Sequence, residues 1–329
     1  MLTNLVRPPS VGLGLVNPMQ PCLFCESLDQ QAVLRGHDRL HPVGGNYDVS
    51  RCKRCGLVFL NPQPGPEELA AHYPATYYSL GGDRSWDGRD ERLYRAFHTG
   101  GLLDRLACLP YRPWMRTVVG EVGARVLDVG CGSGHFLAIA KKIFALEAYG
   151  VEPYAYDRDY ADRNGLEIVH GTLHEAAFPD NFFDVVMLSN VLEHLPDPRA
   201  VLVEAMRVLK VKGSLMITVP NSNSPLFRIF RGRWFCLDVP RHLFIPSRAN
   251  LKEFAASVGF EIVKTRYVGN SEGIVGSLFY CWNDVLGRQE YLGQRQWSRK
   301  ALAVTLPFAA LLNLMRMGDY MELQFAKPY

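Results

Sequence analysis

A glycine-rich loop between an apolar strand and an apolar helical pattern constrains this chain more than any other sequence feature. Residues 126–137 read VLDVGCGSGHFL, so Asp128 closes a short strand and Gly130, Gly132 and Gly134 follow at alternate positions. Glycine lets a backbone turn tightly and approach a ligand closely. A helix that begins there directs free N–H groups and its positive end towards that ligand. The loop therefore predicts an α/β domain that binds a ligand at the end of its first strand.

A second acid follows at the end of the next predicted strand. Residues 148–151 are mostly apolar, and Glu152 and Pro153 come directly after them. Parallel neighbours end at the same edge of a sheet, so Glu152 is expected beside the glycine loop. A carboxylate there can accept hydrogen bonds from ribose hydroxyls. A surface glutamate is the alternative interpretation.

Four cysteines in two C-x-x-C pairs, 26 residues apart, precede this domain: Cys22, Cys25, Cys52 and Cys55. Two such pairs can supply four thiolates to a tetrahedral Zn²⁺, and a closed shell of four cysteines predicts a structural site. Disulfides or free core thiols are the alternative, and disulfides are disfavoured in a chain that shows no secretion signal. His37 and His41 lie in the gap and could replace a cysteine ligand.

Three stretches together carry a resemblance to a known family. These are the G-x-G-x-G loop with Asp128 ahead of it, the FD-x-V … LEHL-x-D-P run over 183–198, and the run C-x-x-C-G-L-V-F-L-N-P-x-P over 52–64. They resemble the class I S-adenosylmethionine (SAM)-dependent methyltransferases, in particular bacterial polysaccharide and natural-product sugar methyltransferases with an N-terminal zinc-binding module. The resemblance covers roughly residues 20–80, 120–268 and the last strand. It implies a Rossmann-like α/β sheet of seven strands, the last one antiparallel.

The resemblance also implies SAM as the cofactor and a set of residues around it. The acid lies near the methionine end, the glycine loop passes beneath, and the second acid holds the ribose. Relatives place an aspartate on adenine after the third strand; this chain has Thr172 and Leu173 there, so backbone atoms or Thr172 would replace it. Tyr77 or Tyr78 could close over the methionine, or could be core aromatics. The expected cofactor residues are Asp128, Gly130, Cys131, Gly132, Gly134, Glu152, Pro153, Thr172, Leu173, Asn190, Tyr77 and Tyr78.

The acceptor side is expected at the segment 222–246, which interrupts the α/β rhythm. His242 lies there with Asp238 and Trp234, and it is the expected general base; His194 is the second candidate. A lone histidine is often structural, so that alternative stays open. Trp234 could stack on a sugar while nearby arginines bind an anionic group.

These patterns divide the chain into four parts. We expect a flexible leader (1–20), a zinc-binding module (21–62), a helical linker or lid (63–120) and a methyltransferase domain (121–329) with helical insertions at 222–246 and 269–313.

Several functions fit these expectations. Methylation of a small-molecule or glycan-linked acceptor, at a sugar hydroxyl, is favoured by the resemblance. N- or C-methylation of a natural product, and a zinc-module protein that binds protein or nucleic acid through a vestigial SAM fold, are the alternatives. An NAD enzyme is disfavoured because its fingerprint is G-x-G-x-x-G.

Composition, charge and apolar patterning limit the classes of partner and the compartments that we expect for this chain. The net charge is +3 and no Lys/Arg block stands out, so no nucleic-acid partner is expected. The N-terminus lacks the pattern of a signal peptide, which favours the cytoplasm. The apolar run 301–315 is shorter than a membrane span needs, and it predicts a buried helix or a peripheral contact with the inner face of a membrane. The sequence does not specify an oligomeric state.

Overall fold

The computed structural model describes residues 20–41, 43–73, 123–269, 271–288, 291 and 298–328. The leader, most of the linker, Tyr77 and Tyr78 therefore lie outside the described residues. The strands are β1 (Gln30–Gly36), β2 (Tyr47–Cys52), β3 (Val58–Leu60), β4 (Arg125–Val129), β5 (Glu147–Glu152), β6 (Glu167–His170), β7 (Phe183–Ser189), β8 (Leu209–Pro220), β9 (Phe244–Ile245), β10 (Glu261–Val268) and β11 (Tyr320–Ala326). The α-helices are α1 (Pro66–Ala71), α2 (His135–Phe144), α3 (Arg158–Arg163), α4 (Pro198–Val208), α5 (Pro225–Phe230), α6 (Arg248–Ala256), α7 (Ser271–Val285) and α8 (Arg299–Leu314).

Seven strands form the main sheet, in the order β10-β11-β8-β7-β4-β5-β6. The last strand, β11, is antiparallel to both of its neighbours, β10 and β8, whereas β8, β7, β4, β5 and β6 pair in parallel. The Rossmann-like methyltransferase sheet expected from the sequence is therefore confirmed. The strand order reverses between β4 and β7, the point at which open α/β sheets bind ligands beyond the carboxyl ends of their strands.

The central strands are apolar on both faces because helices cover them. Val126 and Leu127 of β4 and Val186 and Leu188 of β7 are fully buried. Continuous apolar runs of this kind are typical of parallel strands with a layer on each side. The glycine loop and α2 follow β4 directly, which places the loop at the switch point.

The end of α4 differs from the sequence pattern, which predicts a helix that continues through two lysines to Gly213. The helix ends at Val208, and β8 begins at Leu209, which is fully buried and pairs with Phe183. A Cβ at Gly213 would lie 2.7 Å from the carbonyl oxygen of Lys210. Glycine is needed there for close backbone approach within the strand and not for a helix end.

A second, smaller sheet carries the cysteine pairs. Its order is β1-β2-β3-β9, all antiparallel, and its fourth strand comes from the 222–246 segment of the methyltransferase domain. Beyond the strand pairing, the N–H of Leu60 donates to the carbonyl of Leu243 at 2.9 Å. The N-terminal module is therefore completed by the segment on which the acceptor side was expected.

A buried guanidinium joins the two parts of the chain. Arg241 is fully buried, donates two hydrogen bonds of 2.8 Å to Asp38 and one of 2.6 Å to Asp238, and reaches the carbonyl of His72 at 3.3 Å. The Nδ1 of His72 lies 2.7 Å from Asp38. Burial alone would raise the pKa of Asp38, but hydrogen bonds from Arg241 and His72 hold that pKa well below its usual range.

We predict that Arg241→Leu destabilises the fold severely, because it leaves the buried carboxylate of Asp38 and the half-buried carboxylate of Asp238 without their cation. The expected loss in the free energy of unfolding is about 3–5 kcal/mol, measured by urea denaturation. The matched control is Arg125→Leu, which removes an exposed ion pair with Glu147 and should cost far less. Similar losses in the two variants would show that the buried network does not stabilise this fold.

Candidate functional site

The glycine loop has a backbone that only glycine adopts without strain. Gly130, Gly132 and Gly134 have φ angles of +70°, +54° and +81°. A Cβ at Gly130 would lie 2.6 Å from Val191, and a Cβ at Gly134 would lie 2.6 Å from Leu166. Conformation and packing thus both require glycine at these two positions, and Gly130 lies against the segment that follows β7.

Two buried carboxylates border this loop. Burial and the nearby charge of Glu152 raise the pKa of Asp128 to about 7, and burial also raises the pKa of Glu152. Glu152 accepts hydrogen bonds from the backbone N–H groups of Gly132 (2.8 Å) and Tyr154 (2.9 Å). An ionised carboxylate has roughly four lone-pair positions, so two remain for a ligand. Pro153 follows directly and is exposed.

The other expected cofactor residues differ in what they can offer. Asn190 is exposed at the carboxyl end of β7, and its φ angle is +54°. Cys131 is half-buried in the glycine loop, where burial raises the pKa of its thiol. The side chain of Leu173 is buried in the core, so it can support the site only by packing. Both the N–H and the hydroxyl of Thr172 donate to Glu175 at 2.8 Å. Sequence reasoning missed Glu175, a carboxylate near the place where relatives carry an aspartate.

The structure brings the two expected catalytic histidines together although they are 48 positions apart. The ring centroids of His194 and His242 lie 4.7 Å apart. The Nδ1 of His242 lies 2.9 Å from the carbonyl oxygen of Cys236, so it carries the ring proton and donates it there. The Nε2 of His242 therefore has a free lone pair, and it lies 3.9 Å from carboxylate oxygens of Glu193 and Asp238.

Glu193 completes this cluster, and its setting is unusual. The side chain is fully buried, and neither carboxylate oxygen has a hydrogen-bond partner in the described part of the chain. Burial raises the pKa of Glu193 to about 8. Burial likewise lowers the pKa of His194 to about 3, with the neighbouring His242 contributing, so the His194 ring is neutral. Two imidazoles and one carboxyl group therefore lie together, and no described residue donates a hydrogen bond to the carboxyl oxygens.

The expectation that Trp234 stacks on an acceptor is wrong. Its side chain is 1% exposed, and its indole N–H donates to Asp319 at 3.0 Å. Nearby, Arg233 pairs with Asp284, and Arg231 donates to the carbonyl of Val33. Trp234 is therefore a core anchor of the 222–246 segment and not a sugar platform.

The four N-terminal cysteines converge. The Sγ atoms of Cys22 and Cys55, and those of Cys25 and Cys52, lie 3.5 Å apart, too far for disulfides. Four sulfurs around a tetrahedral zinc, each about 2.3 Å from it, would be separated by about 3.8 Å, which is close to the observed spacing. The group contains neither His37 nor His41, and the four thiols fit a structural zinc.

Comparison with known proteins supports the methyltransferase activity among the functions that the sequence left open. Residues 102–265 match the family described as a methyltransferase domain. The demethylmenaquinone methyltransferase of Listeria monocytogenes is 29% identical over 198 residues, an alignment that covers 50% of this chain and 81% of that protein. The chain is a SAM-dependent methyltransferase.

Two solved structures are among those similar to this methyltransferase. A SAM-dependent methyltransferase from Archaeoglobus fulgidus has 22% identity and a TM-score of 0.44, and covers 71% of this chain and 97% of its own. Phosphoethanolamine N-methyltransferase 2 of Haemonchus contortus, solved with SAM, has 19% identity and a TM-score of 0.42, and covers 75% of this chain and 59% of its own. In the described ranges, the methyltransferase has no helix long and apolar enough to cross a bilayer.

Proposed function

We propose that this methyltransferase acts on a hydroxyl group of a small-molecule or glycan-linked acceptor, most directly a sugar hydroxyl. The observation that carries the proposal is the adjacency of the histidine cluster to the glycine loop. Val191, which packs against Gly130, directly precedes the 3₁₀ turn Leu192–His194. A group bound at the cluster is therefore close to whatever the loop binds.

SAM, when bound, supplies an electrophilic methyl group on its sulfonium. We propose that Asp128 lies near the methionine part, that the glycine loop passes beneath it, and that Glu152 accepts the ribose hydroxyls. The two open lone-pair positions of Glu152 and the exposed Asn190 at the strand edge support this assignment. Two further sets of contacts complete the proposed site. Adenine would contact Thr172 and the backbone of Leu173, and the methionine would contact Tyr77 or Tyr78.

His242 is the side chain that we propose acts on the proton of the acceptor hydroxyl, with His194 as its neighbour. The hydrogen bond from its Nδ1 to Cys236 fixes the ring orientation and leaves Nε2 available. Because Glu193 and His242 are buried, an oxygen bound beside them has few possible orientations, which favours an in-line reaction.

A ring acceptor is the second candidate. The Listeria relative is named for demethylmenaquinone, so a quinone-like or other natural-product ring, methylated at carbon or nitrogen, is an alternative acceptor. A lipid-linked acceptor would also fit α8, whose apolar side chains are largely exposed at Val304, Phe308, Leu311 and Leu314. We therefore propose peripheral contact of α8 with a lipid surface, in place of the buried helix that the sequence favoured.

We also propose one structural Zn²⁺ at Cys22, Cys25, Cys52 and Cys55, in a reducing compartment such as the cytoplasm. The seven cysteines that the structure describes are all free thiols, which is typical of such a compartment. The zinc would stabilise the small sheet, because a module this short cannot build a sufficient core.

Elemental analysis of the full chain, purified without chelator, tests the zinc. We expect the double variant Cys25→Ser/Cys52→Ser to contain one zinc per chain less than the natural protein, because two of its four thiolates are gone. Cys281→Ser, which changes a thiol outside the cluster, should keep the full zinc content. Equal zinc in all three proteins would contradict the assignment.

Transfer of labelled methyl groups from SAM to a panel of sugar nucleotides, lipid-linked sugars and quinones identifies the acceptor. With that acceptor, we expect His242→Ala to lower kcat by roughly 10²–10⁴, while the affinity for SAM stays near that of the natural protein. His174→Ala, whose ring is exposed, is the control and should retain activity. Full turnover by His242→Ala, or an equal loss of SAM binding, would show that His242 is structural.

A further inference from the structure

We propose that Glu193, His194 and His242 bind one divalent transition-metal ion, separate from the zinc of the cysteine module. One ring nitrogen from each histidine and one carboxylate oxygen lie within 4.8 Å of one another. This inference rests on the proposed function, because it specifies how the histidine cluster acts on the acceptor hydroxyl.

The lone pairs of Glu193 and of His242 Nε2 face one another, and no described residue donates a hydrogen bond to the carboxyl oxygens of Glu193. The Nδ1–H of His242 is used by the carbonyl of Cys236, which leaves Nε2 with a lone pair that faces Glu193 at 3.9 Å. Glu193 is fully buried, and neither of its oxygens receives a hydrogen bond from any described residue. Buried polar groups are nearly always satisfied, and an exception calls for an unseen partner. When Glu193 is ionised, these atoms only accept hydrogen bonds, and one cation would satisfy them together.

The surroundings of the two rings have the form expected around a metal. Histidine ligands usually donate their second ring N–H to a backbone carbonyl or carboxylate, which fixes the tautomer. His242 does so towards Cys236, and the Nδ1 of His194 lies 3.0 Å from the carbonyl oxygen of Arg241. Since a carbonyl only accepts, the Nδ1 of His194 carries the proton and its Nε2 has the lone pair. The hydroxyl of Tyr73 also lies 2.8 Å from this Nδ1.

The backbone holds the third ligand in the same place. The carbonyl of Glu193 accepts a hydrogen bond of 2.8 Å from the N–H of Leu243, the residue after His242. The ligands therefore belong to two segments that are bonded to each other directly. Asp238, whose Oδ2 also lies 3.9 Å from the Nε2 of His242, is bound by Arg241 and only accepts hydrogen bonds, so it does not satisfy the cluster.

The donor set indicates the class of ion. Two imidazoles and one carboxylate suit Zn²⁺, Fe²⁺ or Co²⁺, and three protein ligands leave coordination positions open. The four-cysteine group, in contrast, closes the shell of its ion. An acceptor hydroxyl at an open position loses its proton more readily, as metal-bound water does. The metal-bound hydroxyl would release its proton to solvent, and the new oxygen–methyl bond would form as the sulfur–methyl bond of SAM breaks. His242 would then act on the proton as a metal ligand and not as the direct base.

Co²⁺ is a suitable probe, because its visible absorption reports nitrogen and oxygen ligands while zinc stays in the cysteine module. We expect the full chain loaded with one zinc per chain, the amount that fills the cysteine module, to bind one Co²⁺ per chain. Glu193→Gln, which keeps the shape but removes the charge, should weaken Co²⁺ binding by at least about tenfold. His242→Ala gives a second test if the first variant fails to fold. Glu167→Gln, an exposed carboxylate on β6, is the control with unchanged Co²⁺ affinity.

Failure of this inference is distinguishable from failure of the proposed function. No Co²⁺ binding by the zinc-loaded chain, or equal binding by Glu193→Gln, overturns the metal site; activity that is lost in His242→Ala would then leave that histidine as the direct base. Co²⁺ binding that depends on Glu193 and His242 supports the metal site even if the acceptor panel shows no methyl transfer, a result that would count only against the proposed function.

Discussion

The buried side chain of Arg241 is the interaction on which the arrangement of this protein depends. A guanidinium cannot lose its charge in a protein, so burying it is costly unless carboxylates surround it. Asp38 comes from the cysteine module and Asp238 from the methyltransferase domain, and both bind the same side chain. Because breaking such a set leaves an unpaired buried charge, the module and the domain are expected to keep one relative position.

This constraint reaches the histidine cluster through the backbone of the same residue. The carbonyl of Arg241 receives the Nδ1–H of His194, and the next residue in the chain is His242. Strand β9 then begins at Phe244 and completes the cysteine-bearing sheet. A single short segment thus supports the small sheet, holds the guanidinium and positions both histidines. The N-terminal module would then act on the reaction by shaping this segment.

Much of the fold, and the position of the glycine loop beside two acids, was predictable because the signals are local. The strand–glycine–helix pattern around Gly130, the alternating last strand and the two C-x-x-C pairs each depend on residues within a dozen positions, apart from the distance between the two pairs. The position of Glu152 at the end of β5 was predictable for the same reason. The structure also shows that Glu152 holds the loop through Gly132, a contact that no sequence pattern indicates.

What the sequence could not predict depends on partners far along the chain. Asp38 and Arg241 are 203 positions apart, and Trp234 is 85 positions from Asp319, which accepts its N–H. Trp234 lies in a proline-containing segment that interrupts the α/β rhythm and was therefore expected to be a surface loop, so its burial was missed. The L-E-H sequence drew attention to His194, but only the fold shows that Glu193 faces His242 without a donor.

The central claim is that the glycine loop and its two acids form a SAM site, and calorimetric titration of the full chain with SAM tests it directly. We predict one SAM per chain, and for Glu152→Gln a loss of about 1–3 kcal/mol in binding free energy, the cost of a charge-assisted hydrogen bond. Glu147→Gln, at the other, exposed end of β5, should bind SAM normally. Failure of the natural protein to bind SAM, or equal affinity in the Glu152→Gln variant, would contradict the account.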